Sequence, residues 1–290
     1  MRIVKIILIS IFALCVPFVV FLIYDAVYAS QPSPFREDPV TDVFVWSRQD
    51  SVALGEPDEP EKPDIPEEPP EPPLPDRSVP VAFLTFDDGP SKYTERILEI
   101  LEEHEVKATF FVIDKPMYDD LYKTIYDSGN EIALHSASHE YKQIYGSEEA
   151  FFEDYYSLQN KIYDLIGVRL WTYRFPGGTS NTIVSRTVLN DIFVKLRAKN
   201  IKYIDWNVSS NDCNVRDSNK IINNVVKGAK ETVKIEKNNN EAMILLHDTN
   251  LSLPSVNALS EIITQLKEEG FVFDTVSNAT NLSQHRKLAE

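Results

Sequence analysis

Val81-Ala-Phe-Leu-Thr-Phe-Asp87-Asp88-Gly89-Pro90 is the stretch on which the fold turns. Val81–Phe86 is rich in β-branched and aromatic residues and reads as a buried strand. The strand stops on two adjacent carboxylates and a Gly-Pro pair, which marks a sharp turn. Ser91 stands at an N-cap position ahead of a helical pattern over Tyr93–Glu103. In α/β folds, chemistry is placed at the C-terminal ends of strands. One carboxylate there can ligate a metal while its neighbour takes up a proton. Alone, Asp-Asp-Gly reads better as a turn with two solvated acids, so the weight must come from the rest of the chain.

Outward from this stretch, strands and helices alternate. Further strands are expected at Ala108–Ile113, Glu131–Leu134, Thr172–Arg174, Tyr203–Trp206, Ala242–Leu246 and Phe271–Phe273. Further helices are expected near Met117–Ser128, Glu148–Ile166, Ile183–Lys199, Ser218–Ile235 and Ser255–Glu269. Strands separated by helices imply parallel pairing in a wound α/β sheet or a barrel. About 200 residues suffice for one core. The pattern delimits a domain over residues 81–280, with residues 281–290 as a tail that frays after Asn278.

Upstream, the chain changes character. Arg2 and Lys5 precede Ile6–Tyr24, which carries no charge. A membrane span needs about 20 apolar residues, whereas the apolar core of a cleaved signal is about 7–15. Residues 1–30 are therefore read as an uncleaved signal anchor, with cleavage after Ala29 of Val27-Tyr28-Ala29 as the alternative. Positive charge before the span and Asp25 after it put the rest of the chain outside the membrane. Residues 31–80 form a linker. From Glu56 it alternates Pro with Glu and Asp, an extended and self-repelling spacer with a reach of roughly 75–80 Å.

Bulk properties narrow the function. The 290 residues carry a net charge of −16, much of it in Glu56–Asp76. Such a chain has little to neutralise phosphates with, so nucleic acid is excluded as a partner. Of the two cysteines, Cys15 lies in the apolar leader and leaves Cys213 alone, so no intramolecular disulfide framework forms.

Three of the five histidines sit at expected strand ends. His135 and His139 follow Glu131–Leu134, four residues apart, a spacing that on a helical turn aims both rings at one metal. His247 ends Ala242–Leu246. His104 and His285 have no such placement and read as solvent-facing. Arg174 closes another strand, followed by Pro176-Gly177-Gly178, where glycines let backbone approach a ligand. Trp206-Asn-Val-Ser209-Ser-Asn-Asp212-Cys213 follows the fifth strand. Its Trp fits either the core or a sugar platform.

Taken together, Thr85-Phe-Asp87-Asp88-Gly89-Pro90, His135-Ser-Ala-Ser-His139, Arg174-Phe-Pro176-Gly177-Gly178 and Leu245-Leu-His247 resemble, in order, the motifs of the polysaccharide deacetylases, carbohydrate esterase family 4. The likeness spans about Val81 to Val276. It implies a distorted (β/α)7-type barrel. It also implies one divalent metal, zinc or else cobalt, on Asp88, His135 and His139, with Asp87 as general base and Arg174 holding it with a low pKa. His247 becomes the general acid, Gly177 N–H an oxyanion donor, and Leu245 the wall for the acetyl methyl group. Trp206 and Asp212 belong to the substrate segment. There, Ser209 and Cys213 stand where relatives often carry Asp and Trp. Ser209 weakens the case for a carboxylate tuning His247, with Asp212 as an unplaced substitute, and Cys213 thins the sugar wall.

The resulting expectation is a monomeric, metal-dependent hydrolase removing N-acetyl groups from a cell-envelope glycan, N-acetylglucosamine of peptidoglycan above all. The alternatives are an O-acetyl esterase of the xylan type and a silent, membrane-anchored glycan-binding module. An iron oxygenase also uses two histidines and a carboxylate, but it has no use for Asp87 and Arg174.

Overall fold

A computed structural model describes residues 78–235 and 239–288. The expected membrane segment Ile6–Tyr24 and most of the Pro/Glu-rich linker lie outside the described residues. Among the described residues, no helix is long and apolar enough to cross a membrane.

Eight strands form one parallel sheet: β1 (Val81–Gly89), β2 (Thr109–Val112), β3 (Glu131–Leu134), β4 (Thr172–Tyr173), β5 (Lys202–Tyr203), β6 (Val208–Ser209), β7 (Glu241–His247) and β8 (Val272–Phe273). Their order is β5-β4-β3-β2-β1-β7-β6, with β8 pairing the start of β1. The helices are α1 (Thr94–Glu103), α2 (Asp119–Asp127), α3 (Tyr141–Ile144), α4 (Glu148–Ile166), α5 (Arg186–Ala198), α6 (Ser218–Thr232) and α7 (Leu253–Glu268).

The sheet is curled, and its connectivity says why. Edge strands β5 and β6 are joined by Ile204–Asn207 alone. Five backbone steps span at most about 18 Å. Seven strands laid flat would put their edges about 29 Å apart. The sheet therefore bends until its edges approach, without pairing with each other, and the result is a curled parallel half-barrel flanked by helices. The expected barrel is met in this coarser form.

Alternation along β1 separates two cores. Ala82, Leu84 and Phe86 point outward into the large helix-facing cluster with Ile97, Phe110, Leu246 and Leu259. Val81 and Phe83 point into the curl, where they meet Phe111, Ala133, Ile204, Met243 and Val276. Two positions further along the inner face comes Thr85, then Asp87. The apolar column inside the curl thus ends in the acid that opens the cleft.

Several elements differ from expectation. β6 was not anticipated, because two residues carry no readable period. The short helix α3 was missed for the same reason. The strand expected at Tyr203–Trp206 stops at Tyr203. Ser91 does not cap α1; Tyr93 occupies that position. The Ser91 hydroxyl instead donates to Asp248 Oδ1 at 2.5 Å.

Residues 279–288 do not fray. Thr280 N–H and Asn281 N–H donate to the Glu241 carboxylate at 2.9 and 2.8 Å. Ser283 O accepts from Asp205 N–H at 2.6 Å. Gln284 Nε2 donates to Tyr203 O, and Tyr203 hydroxyl donates to Arg286 O. This segment straps the open side of the half-barrel between β5 and the start of β6.

Candidate active site

Asp87 and Asp88 are neighbours on a strand, so regular pleating would aim them at opposite faces. The register of β1 on β2 slips between Asp87 and Gly89, and Asp88 has φ +70°. This bulge turns the Asp88 carboxylate back toward the cleft that Asp87 faces. On the other side of β1, the register sets Asp87 directly beside His247 of β7. Two neighbouring strands thus bring an acid and an imidazole to one rim.

His135 and His139 come together differently from expectation. Residues 135–140 form a loop rather than a helical turn. Ser136 and His139 have φ of +87° and +54°, and these left-handed positions fold the loop so that the ring centroids lie 5.3 Å apart. Asp154 of α4 holds the loop. Its carboxylate accepts from Ala137 N–H, Ser138 N–H and the Ser138 hydroxyl at 2.7–2.9 Å.

The three expected ligands do meet. Asp88 Oδ1 lies 3.2 Å from His139 Nε2 and 3.6 Å from His135 Nε2. Burial pushes the His135 imidazole down to about 3, so it is neutral. Its Nδ1 sits 2.8 Å from Arg174 O, so the proton is assigned there and the Nε2 lone pair faces Asp88. Asp88 Oδ1 is shut off from solvent and makes no hydrogen bond among the described residues. A buried carboxylate oxygen opposed by an imidazole lone pair is unfavourable unless a cation lies between them. The separations match the edge of a tetrahedron with metal bonds of about 2.0–2.1 Å, which is about 3.3 Å. The residues present therefore fit a divalent metal.

Arg174 is wholly buried and lies over the Phe111 ring, 3.9 Å from its centroid. Its Nη1 donates to Asp87 Oδ1 and to Thr85 Oγ1, both at 2.7 Å. Its Nε and Nη2 donate to Ile204 O and Asp205 O. Four hydrogen bonds hold the rigid fork in place, and one of them fixes a carboxylate oxygen of Asp87. The expectation that Arg174 leaves Asp87 with a low pKa is not met. Burial pushes the Asp87 carboxyl up, and Arg174 and His247 only limit the rise.

Asp212 takes the place that Ser209 leaves open. Its Oδ1 accepts from His247 Nδ1 at 2.7 Å, and its Oδ2 accepts from His247 N–H and from Ser255 Oγ. Burial opposes the charge on His247, but the Asp212 hydrogen bond, the Cys213 contact and the charges of Asp212 and Asp87 outweigh it and hold the imidazole up at about 11. Burial likewise opposes charge on Asp212, and its partners lower it on balance.

Cys213 is exposed and lines the cleft, so it is not a core residue. Its Sγ stands 3.5 Å from His247 Nδ1 and 3.4 Å from Nε2. Near-equal distances place the sulfur over the ring face rather than in line with either nitrogen. Trp206 is half-buried. It packs against the inner core and also lines the cleft, so both readings of it hold in part. A side chain at Gly178 would strike its ring at 2.9 Å. Gly177 and Leu245 complete a cleft of about 380 Å³.

Four further side chains at the site were given no role from the sequence. Asp205 is buried, and its carboxylate accepts from Thr179 N–H, Thr179 Oγ1 and His285 N–H at 2.5–2.8 Å. Asp248 is buried under Gly89 and accepts from Ser91 and Thr94. His285 is exposed, as expected, and its Nε2 also lies 2.7 Å from Trp206 O with its ring edge-on to Trp206. Only Asp154 left a trace in the sequence, as an acid on the apolar side of its helix beside Phe151, Tyr155 and Leu158.

A peptidoglycan-N-acetylglucosamine deacetylase of Bacillus cereus is 31% identical over 197 residues, covering 67% of this chain and 68% of the relative. The chain belongs to the polysaccharide deacetylase family. The family profile, described as polysaccharide deacetylase, matches residues 75–194. That span holds the acid pair, both clustered histidines and Arg174, while Asp212 and His247 lie beyond it. The crystal structure of the catalytic domain of a peptidoglycan N-acetylglucosamine deacetylase from Eubacterium rectale superposes with a TM-score of 0.66 at 36% identity, covering 72% of this chain and 93% of that one. A bifunctional xylanase/deacetylase of Pseudobutyrivibrio xylanivorans is 30% identical over 67% of this chain and 29% of its own length. The protein is thus a polysaccharide deacetylase.

Proposed function

We propose that this deacetylase removes N-acetyl groups from N-acetylglucosamine units of peptidoglycan, acting as a monomer held at the outer membrane surface by Ile6–Tyr24. The observation that carries the reading is the single cleft into which Asp87, His247 and the Asp88–His135–His139 cluster all open. A divalent ion, zinc being our proposal, would be held by that cluster, where it supplies Lewis acidity toward the acetamide carbonyl and toward water.

The chain's own residues supply the proton traffic. Arg174 occupies Asp87 Oδ1, which leaves Oδ2 to accept a proton from an attacking water. The upward push of burial on Asp87 suits a group that must take a proton. Asp212 occupies His247 Nδ1, so Nε2 carries the proton that the leaving amine needs. Gly177 N–H is the donor for the developing oxyanion. Leu245 offers an apolar contact for the acetyl methyl group.

Two relatives named for peptidoglycan support the substrate, and the linker composition suits a domain working in a cell wall. The relative named as a xylanase/deacetylase supports a second reading, an esterase acting on O-acetyl xylan through the same groups. The test is to incubate the protein and zinc or cobalt with peptidoglycan, chitin oligomers and acetyl xylan, and to measure acetate. Release from peptidoglycan above the others is expected; release from acetyl xylan alone would replace the first reading with the second. Anchoring is tested by fractionation. Full-length protein should stay in washed membranes, and a soluble product beginning at Ser30 would contradict it.

A further inference from the structure

Tyr141 has no role in the scheme above, yet its position is closely determined. It opens α3 two residues after His139, and its ring stands edge-on to His139 at 5.4 Å and to Tyr145 at 5.9 Å. Tyr145 is fixed in turn by its hydroxyl, which donates to Pro176 O at 2.7 Å. The Tyr141 ring is thereby wedged between the loop of His139 and the loop of Gly177.

The hydroxyl lies against Gly177. A Cβ at that glycine would come within 2.9 Å of Tyr141 Oη. Such a separation is too short for a carbon and a phenol oxygen, so a side chain at 177 and the phenol cannot share the space. Gly177, at φ +73°, leaves that space to the phenol.

Four other tyrosine hydroxyls of this domain are used up internally. Those of Tyr122, Tyr145, Tyr155 and Tyr203 each donate to a backbone carbonyl. The Tyr141 hydroxyl makes no hydrogen bond among the described residues and belongs to the cleft wall with Asp88, Gly177 and Leu245. It is a donor without an acceptor, facing the place where the reaction would bring one.

We infer that Tyr141 is a further catalytic residue, whose Oη–H donates a hydrogen bond to the acetyl carbonyl oxygen beside Gly177 N–H. The inference rests on the deacetylase reading of the cleft. Tyr141 transfers no proton; its bond shortens and strengthens as the oxygen gains charge in the tetrahedral transition state, which is how such donors act on rate rather than on substrate affinity. The alternative, a purely structural ring, predicts that the hydroxyl is dispensable.

Tyr141→Phe separates the two, because it keeps the ring and its contacts with His139 and Tyr145. Loss of one oxyanion donor costs on the order of 10²-fold in kcat. We expect that loss in acetate release from chitin oligomers, with KM changed less than about twofold and with bound metal and melting temperature as in the wild type. Acetate itself, titrated calorimetrically into both proteins, provides a readout that needs no turnover. Its carboxylate oxygen stands in for the carbonyl, and its Kd should rise severalfold in Tyr141→Phe. Unchanged kcat together with unchanged acetate affinity overturns the inference. So does a kcat loss that tracks a lowered melting temperature and is matched by Tyr141→Leu, which would make the ring structural. Should the wild type release no acetate from any glycan, the deacetylase reading fails. Weaker acetate binding by Tyr141→Phe would then still support the contact, and equal binding would dismiss it.

Discussion

Asp212→Asn is the most informative single change, because Asp212 makes the largest contribution to the charge on His247. In the wild type, Asp212 holds the imidazole up at about 11. The protonated acid is then present across the working range, and kcat/KM should have no alkaline limb on its account below that pH. The amide keeps the shape but removes the charge, and the His247 pKa should fall toward its ordinary value of about 6.5, the remaining support from Cys213 and Asp87 being opposed by burial. At 6.5 the protonated fraction is about a quarter at pH 7 and about one hundredth at pH 8.5. Activity should therefore fall about fourfold at pH 7 and about 100-fold at pH 8.5, with a new alkaline limb near or below neutrality. The assay is acetate release from pH 5 to 10, with melting temperature measured alongside. Stability carries the same sign. A raised pKa gives a contribution fully present below about 6.5 and lost as pH rises toward about 11, so the wild type should lose stability over that interval and the variant should lose less. An alkaline limb that stays where the wild type has it, in a folded variant, refutes the claim that Asp212 holds the proton on His247.

Asp87→Asn should keep the metal and lose about 10²–10⁴-fold in turnover, since an amide accepts no proton; parallel metal analysis and acetate release check it, and full activity would move the base elsewhere. His135→Ala and His139→Ala should each lose the metal while the melting transition remains, and elemental analysis showing full occupancy in both would dismiss them as ligands. Cys213→Trp should lower KM for short chitin oligomers and leave kcat and melting temperature near wild type, because the exposed site has room for a sugar-stacking ring; a fall in melting temperature with no gain in KM would contradict this.

The parts of the site that were legible in the sequence share one property. Asp87, Asp88, His135, Arg174 and His247 each end or follow an apolar strand, and a polar residue breaking an apolar run is a one-dimensional signal. What stayed hidden depends on three dimensions. Asp205 and Asp248 are buried acids satisfied by loop N–H groups and hydroxyls, and in a sequence they look like any solvated acid. The approach of His135 to His139 was expected for the wrong reason, since spacing cannot show that Ser136 and His139 adopt positive φ. Asp212 could be suspected but not placed, because only the fold brings it under the His247 ring. The strapping segment after Asn278 lacks an apolar period and is held by backbone and side-chain hydrogen bonds, which no hydropathy pattern announces.

That strap has a consequence for how the enzyme comes into being. Asp205 donates its N–H to Ser283 and accepts His285 N–H on its carboxylate, while its carbonyl anchors Arg174, the partner of Asp87. Every strand precedes the strap in the chain. During synthesis the half-barrel can therefore form before its open flank is sealed, as domains fold while later residues are still being added. Competence arrives last, with a short polar-rich segment held mainly by hydrogen bonds, in which Ala279, Leu282 and Leu288 add contacts to the apolar cores. A nascent or clipped chain stopping before Ser283 would keep the acids and histidines but lose two of the hydrogen bonds that hold Asp205, leaving Thr179 as its remaining anchor beside Arg174. Such a chain would look folded and work poorly, which makes the strap a natural checkpoint between a finished shape and a finished enzyme.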